Sequence, residues 1–143
     1  MSAGYSGTPL AKKLGIAEGD LVAALGAPSH FADLLEPLPR GVTLRGDLRA
    51  RAPHDVLVAF VRDARELRER YAKALARLDP HGGLWIAWPK QSSPLATDLR
   101  ESDVRAHGLS SGLVDNKICA IDEDWSGLCF VVRTRDRPPR SRR

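Results

Sequence analysis

Residues 55–89 read DVLVAFVRDARELRERYAKALARLDPHGGLWIAWP. Two apolar runs, Asp55 to Val61 and Leu84 to Trp88, flank a segment in which apolar residues recur at spacings of three and four from Ala64 to Leu78. Continuous apolar runs are typical of buried parallel strands, and that spacing is typical of a helix with one apolar face. Asp63 can cap the helix, and the turn-forming residues from Asp79 to Gly83 are expected to end it. The stretch therefore predicts a strand, a helix and a second strand.

Strands and helices also alternate on either side of this unit. On the amino-terminal side the sequence predicts two short helices. The first is capped by Thr8, starts at Pro9 and ends before Gly15, and the second is capped by Ser29. A strand follows each helix, from Leu21 to Gly26 and from Val42 to Leu44. The carboxyl-terminal side predicts a helix from Glu101 to Leu109 stopped by Gly108, and a hairpin of two strands, Lys117 to Ile121 and Leu128 to Arg133. Short connections between alternating strands and helices favour a mostly parallel sheet that is covered on both faces. We therefore predict a single three-layer, Rossmann-like α/β domain with about six strands and a C-terminal antiparallel hairpin.

The chain length fits one domain with one core. The 143 residues carry a formal net charge of +4, and the six arginines and one aspartate from Arg133 to Arg143 account for more than this excess. The preceding residues are close to neutral, so no basic face for nucleic acid is expected, although the tail alone can attract a phosphate backbone weakly. We predict a domain over residues 1–135 and a disordered Arg/Pro-rich tail over residues 136–143.

Several classes of protein are not expected from this sequence. No apolar run approaches the roughly 20 residues of a membrane helix, and residues 1–5 lack the order of a signal peptide, so we predict a soluble cytoplasmic protein without a membrane partner. Cys119 and Cys129 form no CxxC pair and the four histidines are scattered, so we predict buried thiols and no metal site.

Longer segments resemble a known enzyme family. The run LAKKLGIAEGDLVAALGAP at residues 10–28 resembles the start of class I S-adenosylmethionine (SAM)-dependent methyltransferases, where a helix, a Gly-Asp turn and a strand lead into a glycine-rich loop. DVLVAFV, LDPHGGLWIAWP and the terminal hairpin resemble the second half of that fold. The segments GYSGTPLAKKLG, LWIAWPKQSS, TDL, GLVDNKICAID and WSGLCFV are similar to a bacterial family of short proteins classified only as a domain of unknown function. The resemblances imply a truncated methyltransferase-like fold and no particular activity.

The glycine-rich loop departs from the methyltransferase pattern. In that pattern an acidic residue on the first strand precedes alternate glycines, which let the backbone amides approach SAM closely. Here Ala24 stands at the acidic position, and two of the three glycine positions hold Pro28, which has no amide hydrogen, and His30. The stretch from Leu44 to Asp55 is also too short for the helix, strand and helix that the resemblance implies. Ordinary SAM-dependent activity is therefore not expected, and we predict no cofactor.

Ligands of open α/β sheets bind at the carboxyl ends of the strands. The loops at these ends supply the candidate ligand-binding residues, which are Gly26, Ser29, His30, Lys90, Ser92, Ser93, Thr97 and Asp98. Lysine, hydroxyl groups and free amides suit a phosphate or carboxylate, and Asp98 can orient Lys90. The alternative is that Thr97 or Asp98 caps the next helix while Lys90 is solvated.

Other polar and aromatic residues have ordinary structural interpretations. His30 can hold an anion with helix amides, or can simply be exposed. The acidic residues from Asp122 to Asp124 lack the spacing of a calcium loop and are interpreted as a solvated turn. Trp85, Trp88 and Trp125 are expected to be core anchors.

These features predict a non-catalytic or regulatory module that binds a small anionic ligand or a protein partner on a degenerate methyltransferase-like fold. The alternative is an enzyme that uses Lys90, Ser92 and Asp98 on an unidentified small anionic substrate, although the nucleophile pattern GxSxG is absent. A third hypothesis is weak nucleic-acid association through the basic tail.

Overall fold

The computed structural model describes residues 7–140. Its helices are α1 (Leu10–Lys13), α2 (Phe31–Leu34), α3 (Ala64–Leu75) and α4 (Glu101–Ser110), followed by a 3-10 turn at Thr134–Asp136. Its strands are β1 (Leu21–Leu25), β2 (Thr43–Arg45), β3 (His54–Phe60), β4 (Leu78–Pro89), β5 (Val114–Ala120) and β6 (Trp125–Val131). Helices and strands follow one another in the predicted order.

The six strands of residues 7–140 form one sheet in the order β2-β1-β3-β4-β6-β5. β2, β1, β3 and β4 run parallel, whereas β6 is antiparallel to both β4 and β5. The register places Val58 of β3 beside Ala24 of β1 and Trp85 of β4. The predicted fold class is therefore confirmed, because the sheet is mostly parallel and ends in an antiparallel hairpin.

Both faces of the sheet are buried. α1 and α2 cover the face that carries Val58 and Trp85, and α3 and α4 cover the face that carries Leu57 and Leu84. The indole Nε1 of Trp85 donates a hydrogen bond of 3.0 Å to the Leu14 carbonyl, which ties α1 to the sheet. All three tryptophans, Trp85, Trp88 and Trp125, are buried, so the prediction that they anchor the core is confirmed.

The central helix α3 begins as predicted and ends earlier. Asp63 Oδ1 accepts the N–H of Glu66 at 2.8 Å, which forms the predicted cap. The helix ends at Leu75 and β4 begins at Leu78, so residues 79–83 belong to a strand and not to the turn that was expected. Gly82 lies so close to the Asp55 carbonyl that a Cβ atom there would clash. The turn-forming residues therefore produce an irregular strand pairing in place of a turn.

Two predicted helix caps are not formed. Pro9 has a ψ angle of 143° and precedes α1, so the helix starts one residue later than predicted and Thr8 is not its cap. The side chain of Ser29 does not cap α2, because the Pro28 carbonyl accepts the N–H of Phe31 at 3.0 Å and His30 takes the N-cap position. Backbone groups thus satisfy the amide that the serine was expected to bind.

Gly108 lies inside α4, which continues to Ser110, so the prediction that it stops the helix is wrong. The ring of Phe130 occupies the space that a side chain at this position would need. The helix is followed by Gly112, whose φ angle of +96° is one that glycine adopts without strain. Gly108 therefore allows α4 to pack closely on Phe130, and Gly112 allows the chain to turn after the helix.

Both cysteines are free thiols. Cys129 is buried and Cys119 is half-buried. Burial raises the pKa of Cys129 to about 12, so this thiol stays protonated at neutral pH.

The chain beyond β6 runs back against the domain. Arg137 Nε donates to the Val132 carbonyl at 2.8 Å, and His81 Nε2 lies 2.7 Å from the Pro138 carbonyl oxygen. Residues 141–143 of the predicted tail lie outside the described residues, so disorder over residues 136–143 stays a prediction. Within residues 7–140 no helix has both the length and the apolar character that crossing a membrane requires.

His54, at the start of β3, is a fully buried titratable side chain. Neither of its ring nitrogens has a hydrogen-bond partner within residues 7–140. Desolvation lowers the pKa of His54, while the nearby carbonyl groups of Ala52 and Arg77 offset part of this shift. Because the shift is downward from 6.5, His54 is held in the neutral form at neutral pH.

We expect replacement of His54 by phenylalanine to reduce the loss of stability in acid. Because the pKa of His54 is lower in the folded than in the unfolded chain, protonation below the ordinary value of 6.5 favours unfolding. For one proton the slope reaches at most about 1.4 kcal/mol per pH unit. Urea denaturation of wild type and His54→Phe at pH 5, 6, 7 and 8 measures the difference. A difference in unfolding free energy that stays constant over this range would contradict the prediction.

Candidate binding site at the carboxyl edge of the sheet

The order of the strands reverses at β1, which lies between β2 and β3. The carboxyl ends of β1 and β3 at such a reversal are where open α/β sheets bind their ligands. In this chain β1 leads into residues 26–30 and β3 leads into residues 61–63. We call the region around these two connections and the neighbouring loops the carboxyl edge.

An arginine from α3 lies at the carboxyl ends of β1 and β3. The guanidinium of Arg70 donates to the Phe60 carbonyl and lies against Gly26, where a Cβ atom would clash with it. Its Nη2 atom lies 3.5 Å from Glu66 Oε2, and Glu66 Oε1 accepts the N–H of Arg62 at 2.9 Å. Gly26 itself has a φ angle of +65°, so a side chain there would be strained as well as crowded. Arg70 is thus a residue of this site that the sequence analysis did not select.

Aromatic rings fill the adjoining space. The ring of Phe60, at the end of β3, lies 4.9 Å from the Phe31 ring and 5.0 Å from the Trp125 ring in edge-on contacts. All three rings are buried. Phe31 is the first residue of α2, so these contacts hold the β1–α2 connection down on the sheet.

These residues do not fit SAM. In the methyltransferase pattern, loop amides and an acidic residue surround the cofactor. Here the acidic position holds Ala24, which is buried, and Pro28 in the loop has no amide hydrogen. Gly26, the remaining glycine of the pattern, is exposed, but the guanidinium of Arg70 lies against it. The sulfonium of SAM is a cation, and the guanidinium of Arg70 would repel it.

The β5–β6 connection binds the β1–α2 connection through Asp122. The Oδ2 atom of Asp122 lies 2.8 Å from His30 Nε2, and its Oδ1 atom accepts the N–H groups of Asp124 and Trp125 at 2.8 and 2.9 Å. Asp122 is 8% exposed. The interpretation of this acidic run as a solvated turn is therefore wrong for Asp122, although Glu123 is exposed. An aspartate that precedes a turn and accepts amides from the next residues is an Asx turn, and this signal could have identified it.

The same connection binds the loop after β4 through Asp124. Ser93 Oγ donates to Asp124 Oδ1 at 2.7 Å, and the Lys90 N–H donates to the Asp124 carbonyl at 2.8 Å. Ser93 is 8% exposed, and its hydroxyl also accepts the N–H of Leu95 at 3.0 Å. Its contacts show a residue that shapes the loop, whereas its neighbour Ser92 is exposed.

The pairing expected between Lys90 and Asp98 is not formed, because neither side chain makes a hydrogen bond or ion pair with another residue in the described part of the chain. Thr97 Oγ1 accepts the N–H of Leu99 at 3.1 Å, so it closes a local turn. The alternative that Thr97 or Asp98 caps α4 is also wrong, because the first turn of α4 is closed by the Arg100 N–H, which donates to Asp103 Oδ2 at 2.9 Å. Asp98 instead lies beside the groove between α3 and α4.

The structure thus brings some of the predicted residues together and separates others. His30, Lys90 and Ser93 each contact the β5–β6 connection, so two of the predicted loops meet at the carboxyl edge. Ser29 and Ser92 are exposed near these contacts, and Gly26, also exposed, lies against the guanidinium of Arg70. No cluster of three or more histidine, cysteine, aspartate or glutamate side chains suited to a metal ion occurs in residues 7–140.

Comparisons with known proteins show the fold. A SAM-dependent methyltransferase from Aquifex aeolicus is similar to this chain with a TM-score of 0.53 and 14% identity, over 83% of this chain and 85% of that one. A TehB-like SAM-dependent methyltransferase from Corynebacterium glutamicum gives a TM-score of 0.54 and 11% identity, over 92% and 91% of the two chains. A possible exported protein from Bordetella parapertussis gives a TM-score of 0.52 and 15% identity, over 85% and 65%. Neither a protein-family model nor a curated protein matches the chain.

The methyltransferase-like fold expected from the sequence is therefore confirmed. Residues 46–53 form neither a helix nor a strand, so the helix, strand and helix that the resemblance implies between β2 and β3 are not present. The chain has the fold of SAM-dependent methyltransferases in a shortened form.

Proposed function

We propose that this chain is a non-catalytic binding module that uses a methyltransferase-like fold without binding SAM. The observation that carries the proposal is the Arg70 guanidinium, which lies on Gly26 and on the Phe60 carbonyl at the carboxyl ends of β1 and β3. These are the strand ends at which the fold offers a cofactor site.

Removing Arg70 from this position is costly for two reasons. The Phe60 carbonyl would lose this donor, and Glu66 would lose one of its two arginine partners, Arg70 and Arg62. An unsatisfied polar group in a partly buried position costs about 1–3 kcal/mol. The sulfonium of SAM would not compensate for that loss, because it has no N–H or O–H to donate to the carbonyl.

The enzymatic alternative has no specific contact in its favour. Lys90 and Asp98 do not pair, and Ser92 has no hydrogen-bonded base in the described residues. The carboxylates of Asp122 and Asp124 lie where a small anion was expected to approach His30 and Ser93. These contacts favour recognition of a partner or a neutral or dipolar ligand over chemistry on an anionic substrate.

Isothermal titration calorimetry with SAM and S-adenosylhomocysteine tests the proposal. We expect no saturable heat with wild type up to millimolar cofactor, and none with Arg65→Ala, a control in which an exposed arginine of the same helix is removed. Binding that appears only in Arg70→Ala would support the assignment of Arg70 as the residue that fills the site. One-to-one binding of either compound to wild type would overturn the proposed function.

A further inference from the structure

The chain between α3 and the regular part of β4 forms a corner at the amino edge, the edge of the sheet at which β3 and β4 begin. This corner consists of residues 76–82. Leu78 pairs with His54 of β3, but the two strands next pair at Gly83, so the four residues between them bulge out of the ladder. The His54 N–H donates to the Arg77 carbonyl at 2.7 Å. The regular strand pairing of the corner with β3 thus depends on one residue, His54.

The imidazole of His54 is fully buried where the corner meets β3. The carbonyl groups of Ala52 and Arg77 lie near the ring, but neither ring nitrogen makes a hydrogen bond with another residue in the described part of the chain. A protonated ring in this position would be a buried charge without a formed hydrogen bond, which is far more costly than a buried neutral ring. The closed corner therefore favours the neutral form of His54.

The charged groups around the ring do not reverse this preference. Among the described residues, Arg77 of the corner repels a protonated His54, and Asp55 of β3 attracts it with a smaller effect. Desolvation is the largest cause, and the pKa of His54 is lowered from 6.5 as a result. A corner that opens exposes the ring to water and returns its pKa to the ordinary value. Acid therefore favours the open form.

The carboxyl-terminal segment, residues 138–140, lies against the same corner. His81 Nε2 donates to the Pro138 carbonyl across 2.7 Å. Pro53, which immediately precedes β3, and Pro80 of the corner line a cavity of about 340 Å³ together with this segment. The segment thus rests on both sides of the junction between the corner and β3. Movement of the corner away from β3 would remove its support.

We propose that the corner is a pH-sensitive switch, in which protonation of His54 opens residues 76–82 and releases residues 138–140 from the amino edge. One proton changes the ratio of open to closed forms by at most tenfold per pH unit, and the change begins as the pH falls below about 6.5. The switch controls whether Pro53 and Pro80 are covered. It is independent of the proposed function, because these residues lie at the edge of the sheet opposite to the candidate binding site.

Hydrogen exchange followed by ¹⁵N NMR tests whether the corner opens locally. The N–H groups of His54 and Arg77, which donate to the carbonyls of Arg77 and Ala74, report on the corner. The Val61 N–H, which donates to the Ala87 carbonyl at 2.8 Å, reports on the opposite edge. The corner amides should be protected at least tenfold less than Val61, and low urea should accelerate only the exchange of Val61, because a local opening exposes little surface. Equal protection and equal urea dependence would mean that the opening is global, and would overturn the inference.

Variants assign the pH dependence to His54. From pH 7.5 to 5.0 the protection of the corner amides should fall at least threefold more in wild type than in His54→Phe, which has no titratable group at this position. His54→Leu is a second variant without a titratable group. His107→Phe is the matched control and should behave as wild type, because burial lowers the pKa of His107 as well but this residue lies on α4. An equal fall in wild type and in both His54 variants would overturn the inference.

The ¹H–¹⁵N heteronuclear NOE of the Arg140 amide tests the release of the segment. It should fall between pH 7.5 and 5.0 in wild type and stay constant in His54→Phe. His81, which contacts the segment directly, is present in both proteins, so its own titration does not produce the difference. A value that stays constant in wild type, or that falls equally in both proteins, would overturn the proposed release.

Discussion

Replacement of Phe60 by alanine should lower the free energy of unfolding by about 3–5 kcal/mol. Phe60 is fully buried, and its ring lies between those of Phe31 and Trp125. The truncation removes the apolar surface of the ring and leaves a cavity that the rigid ends of β3 and β4 cannot close. Urea denaturation monitored by tryptophan fluorescence and by circular dichroism measures the loss.

A matched variant separates this effect from a general sensitivity to loss of apolar residues. Leu95 is 46% exposed in the loop after β4, so Leu95→Ala should change the unfolding free energy by no more than about 0.5 kcal/mol. A loss below about 1.5 kcal/mol for Phe60→Ala would mean that the ring is not the packing centre of the carboxyl edge.

The central part of the fold could be predicted because local and tertiary signals agree there. The apolar runs of β3 and β4 are strands that helices cover on both sides, and the periodic residues Leu67 and Tyr71 of α3 face the sheet. Asp63 forms the cap that its position predicts. Each of these signals depends on residues that are near each other in the sequence.

Helix ends and turns were predicted less well because distant groups determine them. The Pro28 carbonyl satisfies the amide that Ser29 was expected to bind, and the glycines near residue 82 approach a neighbouring strand instead of turning the chain. A single sequence without spatial neighbours carries no signal for these contacts.

The candidate site was predicted only in outline. The strand-end rule selected the loops of His30 and Lys90, and the structure joins both loops through one connection. Their acidic partners were interpreted as solvated because adjacent carboxylates in a turn usually are. Arg70 was not selected, because its pairing with Glu66, four residues earlier, is typical of a solvated helix surface. Its reach across to Gly26 depends on how α3 packs on the sheet. The cytoplasmic location and the disordered tail remain predictions from the sequence.

Replacement of Gly108 by alanine should destabilise the protein, although alanine favours a helix interior over glycine by about 1 kcal/mol. A Cβ atom at this position in α4 would overlap the ring of Phe130, which is fully buried. Overpacking of a rigid core costs about 1–3 kcal/mol, and overlap with a buried ring places the cost at the upper end, so we expect a net loss of about 2 kcal/mol. Ala106→Gly, the reverse change at an exposed position of the same helix, should cost about 1 kcal/mol.

A double-mutant cycle shows whether the ring is the cause. In a Phe130→Leu background the smaller side chain leaves room for the new methyl group, so Gly108→Ala should become neutral or stabilising there. Urea denaturation of the four proteins gives the coupling energy. Two outcomes would contradict this prediction: Gly108→Ala stabilises the wild-type chain, or it costs the same free energy of unfolding in both backgrounds. Either outcome would mean that the close approach of α4 to β6 does not require a glycine at this position. The presence of a glycine inside α4 would then need another explanation. If the coupling is found, this glycine marks the contact that sets the distance of α4 from the sheet, and with it the width of the groove that α4 shares with α3.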